Sequence, residues 1–555
     1  MTTTTATTRL VKNARIFTSA DGDSKLHEAL VVDGDKVAFV GTLEEAEKRA
    51  VNAEVTDLGG KVVLPGIIDG HTHLVMFGGS LAKADCLGKT AAQVQEIIKA
   101  ERVAKPHQPF VLGRSFLFDA LGQDPHKSLL DAAVSDVPVI IDSADLHSTW
   151  LNSAALKAVG VGRDTPNPKG GEFERDADGE LTGLCLETAV VEYVWPWVSK
   201  QMTHEDRVRM LDDVFEEYLS TGITGCIDMA MTDEDLAAIE AVYARNQSLP
   251  IRVAVHFLLR PDGTDESRAE QVTAAAAQRK RLEPYAPWLQ VAGVKVISDG
   301  VVDSCTAFLK EPYADGTKAG PIWPGDELAK VVVLADSLDL QIAVHAIGDA
   351  ASEQALDAFE AAIKVNGPRP LRRHRLEHLE VVTPESIQRL TRLGIVASLQ
   401  PVHADPVYVP NWRKMLGEDK RCDRAFPWTE YVEANSKVAF GSDAPTAPHH
   451  PFPNMYTATT RQSAVNPTLK PDTDPRIVAL ERFCLKLDTS IRFYTSGSAY
   501  SMRGEDSYGT LEAGKSADFC VISIDPFQDG VETLREAQKA VTQTWVAGKL
   551  AWEKS

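Results

Sequence analysis

The chain has 555 residues, which is too long for one ordinary domain of about 100–200 residues. Its formal net charge of −21 argues against nucleic acid and anionic membrane partners, because both need a basic protein surface. Apolar residues make up 44% and charged residues 25%, as in ordinary globular proteins with a large core. The total charge says little about a small-molecule substrate, which we expect as the partner, and no residue decides whether the chain forms a homo-oligomer.

The seven cysteines are scattered along the chain, odd in number and without a Cys-x-x-Cys pair. This pattern favours a reducing compartment, and we expect a cytoplasmic protein. The opening residues MTTTTATT have neither a basic segment nor an apolar one, so we expect a disordered tail rather than a secretory signal. Because no run of 18 apolar residues occurs, no membrane span is expected.

The N-terminal residues predict a small β element. Short strands are expected at 9–17 and 29–40 around an Asp-Gly turn, and the run at 61–69 leads into His-Thr-His-Leu. Residues 75–205 interrupt the pattern that follows and are long enough for an inserted subdomain. Since insertions after barrel strands fall on the catalytic face, this insert predicts a lid or a pocket wall.

Between 215 and 445, apolar β-branched runs end in polar residues and alternate with helical stretches. Seven runs have this pattern: 222–228, 251–257, 290–298, 341–346, 374–381, 394–400 and 437–443. Together with the run before His71 they predict eight parallel βα units, hence a distorted (β/α)₈ TIM barrel. A doubly wound sheet is the alternative, but the count of eight and the polar strand ends favour the barrel.

After Asp443 the chain is rich in Pro and His, and His449 and His450 are expected to be solvated rather than to bind a metal. Helical residues follow to about 504, and 509–525 and 539–552 return to a strand pattern like that of the N-terminus. We expect the two ends to form one small β-sandwich. The expected organisation is sandwich at 1–64, first barrel strand at 65–74, insert at 75–205, remaining barrel at 206–500 and sandwich at 501–555.

Four histidines and one aspartate stand at the ends of predicted barrel strands. His71 and His73 are two residues apart, so their side chains share one face of a strand. His345, His378 and Asp443 end three later runs. Because the carboxyl ends of barrel strands meet at one face, these side chains predict a catalytic site for a divalent metal such as zinc.

Lys295 lies inside an apolar strand run, where an unpaired ammonium group is costly. Two interpretations are open. The amine could pair with Asp299 or another acid, or the lysine could be carbamylated and bridge two metal ions. Physical chemistry alone favours the ion pair.

The ordered motifs make the sequence similar to a known family. These motifs are HTH at 71–73, KVISDG at 295–300, HAIGD at 345–349, RLEH at 375–378, GSDAP at 441–445, HSTWLNSAAL at 147–156, LQPVHAD at 399–405 and GTLEAGKSAD at 509–518. Together they resemble the amidohydrolase superfamily, in the amidohydrolase-3 branch that includes N-substituted formamide deformylase. The resemblance covers nearly the whole chain.

The resemblance implies a metal-dependent hydrolase that cleaves a C–N bond of an amide or formamide. It implies one or two divalent ions, zinc by expectation, held by His71, His73, Lys295, His345, His378 and Asp443, with Lys295 as a carbamate. Asp443 is expected to act as general base on the attacking water. Substrate contacts are expected from His147, Trp150, Arg114, Gln400 and His403.

Other functions fit the same barrel, because function resides in the site and not in the fold. A metal-dependent decarboxylase and an ester or lactone hydrolase are the main alternatives. A barrel that binds a ligand without turnover is the third and is disfavoured by the full set of expected ligands.

Overall fold

The computed structural model describes residues 8–144, 146, 148–168, 171–369, 371–407, 412–417, 421–466, 468–469 and 480–555. The expected N-terminal tail and His147 lie outside the described residues. The chain forms two compact units. The first comprises Met1–Leu74, Phe215–Ala444 and Pro448–Ser555, and the second comprises Val75–Val214 and Pro445–Ala447.

Eight parallel strands form the barrel of the first unit. In chain order they are β1 (Ile67–Thr72), β2 (Ile223–Met231), β3 (Arg252–Leu258), β4 (Leu289–Ile297), β5 (Gln341–Ala346), β6 (Arg375–His378), β7 (Val396–Leu399) and β8 (Lys437–Phe440). Each strand pairs with the next one along the chain. These strands are buried almost throughout, which explains why their sequences read as continuous apolar runs.

The ends of β1 and β8 meet and close the ring. The Asp443 amide donates to the His71 carbonyl at 2.7 Å, and the His73 amide donates to the Ala444 carbonyl at 2.9 Å. Gly441 makes this approach feasible, since a Cβ atom there would lie 2.3 Å from the His71 nitrogen. The closure therefore brings the His-x-His segment directly against the segment that carries Asp443.

Helices alternate with the barrel strands and cover them. Those of the first unit are Leu43–Arg49, Asp233–Asn246, Asp265–Leu282, Glu283–Tyr285, Glu327–Ser337, Asp349–Asn366, Pro384–Leu393, Pro401–Ala404, Trp412–Leu416, Cys422–Arg424, Trp428–Glu433, Pro451–Thr460, Glu481–Phe483, Leu487–Arg492, Phe493–Gly497, Ser498–Ser501 and Val531–Leu534. Four of them begin after the N-cap threonines Thr42, Thr232, Thr264 and Thr383, whose hydroxyl groups accept hydrogen bonds from the first helical turn. The capping residues thus fix where these helices start.

Two sheets beside the barrel combine both ends of the chain. One contains, in spatial order, Lys36–Gly41, Ala29–Asp33, Thr8–Lys12 and Glu54–Asp57; the other contains Lys549–Glu553, Val541–Val546, Phe519–Ile522, Val62–Pro65, Arg15–Phe17 and Leu26–His27. Val11 and Leu30 of the first sheet pack in one core with Ile16, Phe519 and Trp545 of the second. This arrangement is a β-sandwich.

The second unit is built on a sheet of its own. Its strands, in spatial order, are Gly171–Arg175, Leu181–Glu187, Ser148–Leu151, Val139–Ser143, Val111–Phe116 and Ala84–Asp85. The helices that lie in it wholly or in part are Leu74–Leu81, Ala91–Ala104, Phe118–Leu121, Lys127–Ala133, Ser153–Ala158, Val190–Val194, Trp195–Gln201 and His204–Ser220. This unit follows the first barrel strand.

The predicted fold class is confirmed as a distorted TIM barrel with a separate sandwich and an insertion after the first strand. All eight predicted strand runs coincide with barrel strands. Among the described residues, no helix has the length and apolar character that crossing a bilayer requires.

Candidate active site

The carboxyl ends of the barrel strands bring the predicted metal ligands together. Oδ1 of Asp443 lies 3.3 Å from Nε2 of His71 and 3.0 Å from Nε2 of His73. The His378 ring centroid is 4.9 Å from that of His71 and 4.4 Å from that of His345. Nζ of Lys295 is 3.5 Å from Nε2 of His71. All six predicted ligands therefore form one cluster.

Two of these residues have strained backbones. His378 has φ of +75° and Asp443 has φ of +59°, and both values lie in the left-handed region that non-glycine residues rarely adopt. Such strain persists where the surrounding structure enforces it, and it is concentrated at functional sites. Here it directs two side chains inward at the ends of β6 and β8.

Glu377 orients the first histidine of the cluster. Its Oε2 atom lies 2.7 Å from Nδ1 of His71, and Arg375 contacts both of its carboxylate oxygens. Burial favours the neutral acid, but the charge of Arg375 and the hydrogen bond from His71 hold the pKa of Glu377 well below its ordinary value. An ionised carboxylate can only accept, so Nδ1 of His71 carries the proton and Nε2 presents its lone pair to the cluster.

The charge states of the cluster suit a cation. Burial lowers the pKa of His345 to about 3 and that of His378 well below its ordinary value, so both rings are neutral ligands. Burial opposes ionisation of Asp443, but the neighbouring His71 and His73 hold its pKa well below the ordinary value. Nδ1 of His73 and Nδ1 of His378 are buried and have no hydrogen-bond partner among the described residues.

The residues present therefore fit a divalent metal ion. Donor atoms of His71, His73 and Asp443 all lie within 4.8 Å of one another, and so do those of His378, His403 and Asp443. Neutral imidazoles with a carboxylate are the donor set of catalytic zinc and related ions. Nε2 of His345 lies 3.2 Å from the Gly300 carbonyl, which leaves Nδ1 of that ring as its ligand atom.

His403 adjoins this cluster, although we predicted it only as a substrate contact. Its Nδ1 atom lies 2.9 Å from Oε1 of Glu380, and its Nε2 atom lies 3.5 Å from Oδ2 of Asp443. Burial disfavours the charged ring, but the hydrogen bond and the charge of Glu380 give a net rise in the pKa of His403. The side chain thus presents a hydrogen-bond donor beside the carboxylate of Asp443.

Gln400 lies directly after β7 with its side chain 2% exposed. Neither its amide nitrogen nor its amide oxygen has a hydrogen-bond partner among the described residues. An unsatisfied buried amide costs roughly 1–3 kcal/mol. A ligand that pairs with this amide would remove that cost, and the substrate-binding role of Gln400 stays a prediction.

Lys295 has a lowered pKa because the strand buries it. Asp299 does not serve as its ion-pair partner; instead, this carboxylate accepts hydrogen bonds from the amides of Ile347 and Gly348 and of Phe308. The lysine amine faces the metal-ligand cluster through its contact with His71.

Trp150 and Arg114 belong to the second unit. Trp150 is fully buried in its hydrophobic core, with its ring centroid 6.0 Å from that of Phe116. Arg114 donates to Oγ of Ser80 at 3.2 Å and lies 3.7 Å from Asp85. Their substrate contacts, like that of His147, stay predictions.

Sequence reasoning missed the residues that support the ligands. Glu377 and Glu380 flank His378 in the RLEHLE segment, where acidic residues stand at the end of a predicted buried strand. These acidic residues were the available signal, since charged residues are rarely buried without a partner. The expectation that His449 and His450 are solvated is also wrong for His449, which is 7% exposed and lies 3.0 Å from Oε1 of Glu217.

Comparisons with known proteins agree with this geometry. A model of the amidohydrolase family matches residues 54–551. N-substituted formamide deformylase of Arthrobacter pascens is 28% identical over 566 residues, and the alignment covers 98% of each chain. Protein LONG AFTER FAR-RED 3 of Arabidopsis thaliana is 29% identical over 560 residues, covering 97% of this chain and 91% of that protein.

A solved structure shows the same fold. The crystal structure of an uncharacterized metal-dependent hydrolase from Pyrococcus horikoshii matches with a TM-score of 0.75 and 25% identity, covering 95% of this chain and 99% of that one. The family model spans most of the sequence, and its match includes every residue of the ligand cluster. The chain therefore belongs to the amidohydrolase family of hydrolases.

Proposed function

We propose that this protein hydrolyses a C–N bond of a small amide or formamide, with Asp443 as the general base. The observation that carries the proposal is the position of the Asp443 carboxylate, which contacts His71 and His73 on one oxygen and His403 on the other. A relative that is 28% identical along the whole chain is named as a formamide deformylase, which supports this bond class.

The cluster of His71, His73, Lys295, His345, His378 and Asp443 would hold the metal. A divalent ion bound there supplies polarisation of the substrate carbonyl and acidification of water. One or two ions fit the number of donors, and zinc suits neutral imidazole and carboxylate ligands.

The side chains of the protein supply the proton transfers. Asp443 accepts a proton from water as the water oxygen bonds to the carbonyl carbon. The same carboxyl group then delivers this proton to the nitrogen as the C–N bond breaks, which releases an amine and a carboxylic acid. His403, held by Glu380, donates a hydrogen bond from Nε2 to the substrate, and Gln400 pairs with a polar group of it.

Lys295 is proposed to carry a carbamate. Burial lowers the pKa of its amine, so the neutral form that reacts with CO₂ is favoured. The neutral nitrogen bonds to the carbon of CO₂ and releases one proton to solvent, which leaves an anionic carbamate where the protonated amine would have been a cation. That change of sign suits a site that gathers cations, and it removes the cost of an unpaired buried ammonium group.

The first experiment combines metal analysis with a substrate screen. Protein purified without chelator is analysed for metal per chain, and N-formyl amines, acyl amides and esters are assayed with and without added zinc. Metal-dependent amine release supports the proposal. Ester cleavage without amine release would shift the function to an esterase, and CO₂ release would identify a decarboxylase. Absence of metal under every loading condition would overturn the hydrolase mechanism.

A further inference from the structure

A second group of metal-ligating side chains lies in the first unit. Glu217, His449 and His450 each place one donor atom within 4.8 Å of the other two. They share no side chain with the ligand cluster of the candidate active site. We propose that this triad binds a divalent cation of the zinc class as a second, structural metal site.

One pair of donor atoms is close to the spacing of ligands around a tetrahedral ion, and the third donor atom lies within 4.8 Å of both. Nε2 of His449 and Oε1 of Glu217 are 3.0 Å apart, and the ring centroids of His449 and His450 are 4.1 Å apart. Ligands at about 2.0–2.1 Å from zinc in a tetrahedron are about 3.3 Å from each other. The Glu217 side chain is 35% exposed, so solvent reaches the site and can supply the fourth ligand.

The chemistry of the three groups favours a cation. The imidazoles of His449 and His450 and the carboxylate of Glu217 can each offer one lone pair to a cation. Two imidazoles with one carboxylate form a donor set that zinc shares with its neighbours in the transition series.

Two helix ends lie beside the triad. Glu217 is in the last turn of helix His204–Ser220, a turn that contains no basic residue. A carboxylate at the negative end of a helix is electrostatically unfavourable unless a cation is close. The helix Pro451–Thr460 starts next to His450, and its positive end disfavours a cation to a similar extent. The effects of the two helix ends on a bound cation therefore roughly cancel, and the negative charge of Glu217 is what attracts the cation.

A bound ion would join two segments on either side of β1. Tyr218, the neighbour of Glu217, donates to Oδ2 of Asp69 at 3.1 Å and lies 2.6 Å from Oγ1 of Thr72. His449 follows β8, with its ring centroid 6.1 Å from that of Tyr218. The ion would therefore fix the end of the helix that packs on the strand carrying His71, which is a structural role.

Zinc binding to the full-length chain tests the proposal. Protein stripped with chelator is dialysed against buffered Zn²⁺, and the metal per chain is counted for wild type, Glu217→Gln and His450→Ala. Exposed His107 provides the matched control, His107→Ala. The same triad substitutions are repeated in a His71→Ala/His73→Ala background, which weakens the other site and separates the two. Thermal unfolding is recorded with and without Zn²⁺.

We expect each triad variant to bind one ion fewer per chain than its own parent protein, whether the parent is wild type or His71→Ala/His73→Ala, while His107→Ala binds as many as wild type. The zinc-dependent rise in Tm should shrink in the triad variants, because a ligand stabilises only the state that binds it. Equal uptake in wild type and Glu217→Gln would overturn the site. The site would also be overturned if the triad substitutions reduced zinc uptake only in protein that retains His71 and His73. If His450→Ala does not fold, the zinc uptake of Glu217→Gln, which keeps the shape of the side chain, tests the site by itself.

Discussion

Nδ1 of His71 donates to the Glu377 carboxylate at 2.7 Å, while Nε2 of the same ring lies 3.3 Å from Asp443. One carboxylate thus fixes the tautomer and orientation of a ring whose other nitrogen faces the metal-ligand cluster. Glu377 is itself fixed by Arg375, which is fully buried. The relationship shows that the ligand set depends on charges placed inside the barrel.

Glu377→Gln should weaken metal binding. The amide cannot replace the ionised acceptor, and loss of such a partner typically lowers metal affinity by about 10–100-fold. Competition with a chelator of known affinity measures this change. Glu385→Gln, at an exposed helix start, is the control and should bind metal as wild type does. Unchanged affinity in Glu377→Gln would show that packing alone holds His71 in place.

Asp443→Asn should lose turnover but retain at least part of its metal. An amide cannot accept the proton from water, and loss of a general base lowers kcat by about 10²–10⁴. Turnover and metal content are measured on the same preparation. If kcat stays near that of wild type, another group is the base.

Lys295→Arg should abolish a carbamate signal. With ¹³C-labelled bicarbonate, wild-type protein should show a carbamate carbon by NMR, because the buried amine has a lowered pKa. Arginine keeps the positive charge but does not form a stable carbamate. A wild-type spectrum without that signal, in protein loaded with metal, would return Lys295 to a structural role.

Gln400→Leu should raise KM with little change in kcat. The substitution removes an unsatisfied buried amide, so Tm should stay the same or rise. A net hydrogen bond is worth about 0.5–1.5 kcal/mol, which corresponds to about a two- to tenfold increase in KM. An unchanged KM for every substrate would place Gln400 outside the binding site.

The network around Asp336 should make stability depend on pH. Burial opposes its ionisation, but hydrogen bonds from His374 and Arg372 hold its pKa well below 3.8. Burial lowers the pKa of His374 below 6.5. A depressed pKa in the folded state means that the stabilisation is present above the unfolded pKa and is lost as pH falls.

Asp336→Asn should therefore lower Tm at pH 7, since breaking a buried pair costs about 3–5 kcal/mol. The difference in Tm from wild type should stay nearly constant from pH 7 to pH 4 and should narrow as pH falls below 3.8. Asp357→Asn breaks the exposed pair with Arg389 and should change Tm little. A difference that does not narrow below pH 3.8 would contradict the assignment.

The sequence predicted the barrel because its strands are buried on both faces and read as continuous apolar runs. It also predicted His71, His73, His345, His378 and Asp443, since residues at parallel strand ends share one edge of the sheet. The local pattern of apolar and polar residues was enough to predict the barrel and these five residues. The order of the strands around the barrel follows from short βα connections, which place consecutive strands side by side.

Only the tertiary structure revealed which distant charges neutralise one another. Glu377 acts on His71 across the barrel, Glu380 holds His403, and Glu217 meets His449 from 232 positions away. Such pairs have no spacing rule in the sequence. These pairs are needed because a buried charge is costly unless a partner neutralises it, and the fold alone determines which residue lies close enough to do so.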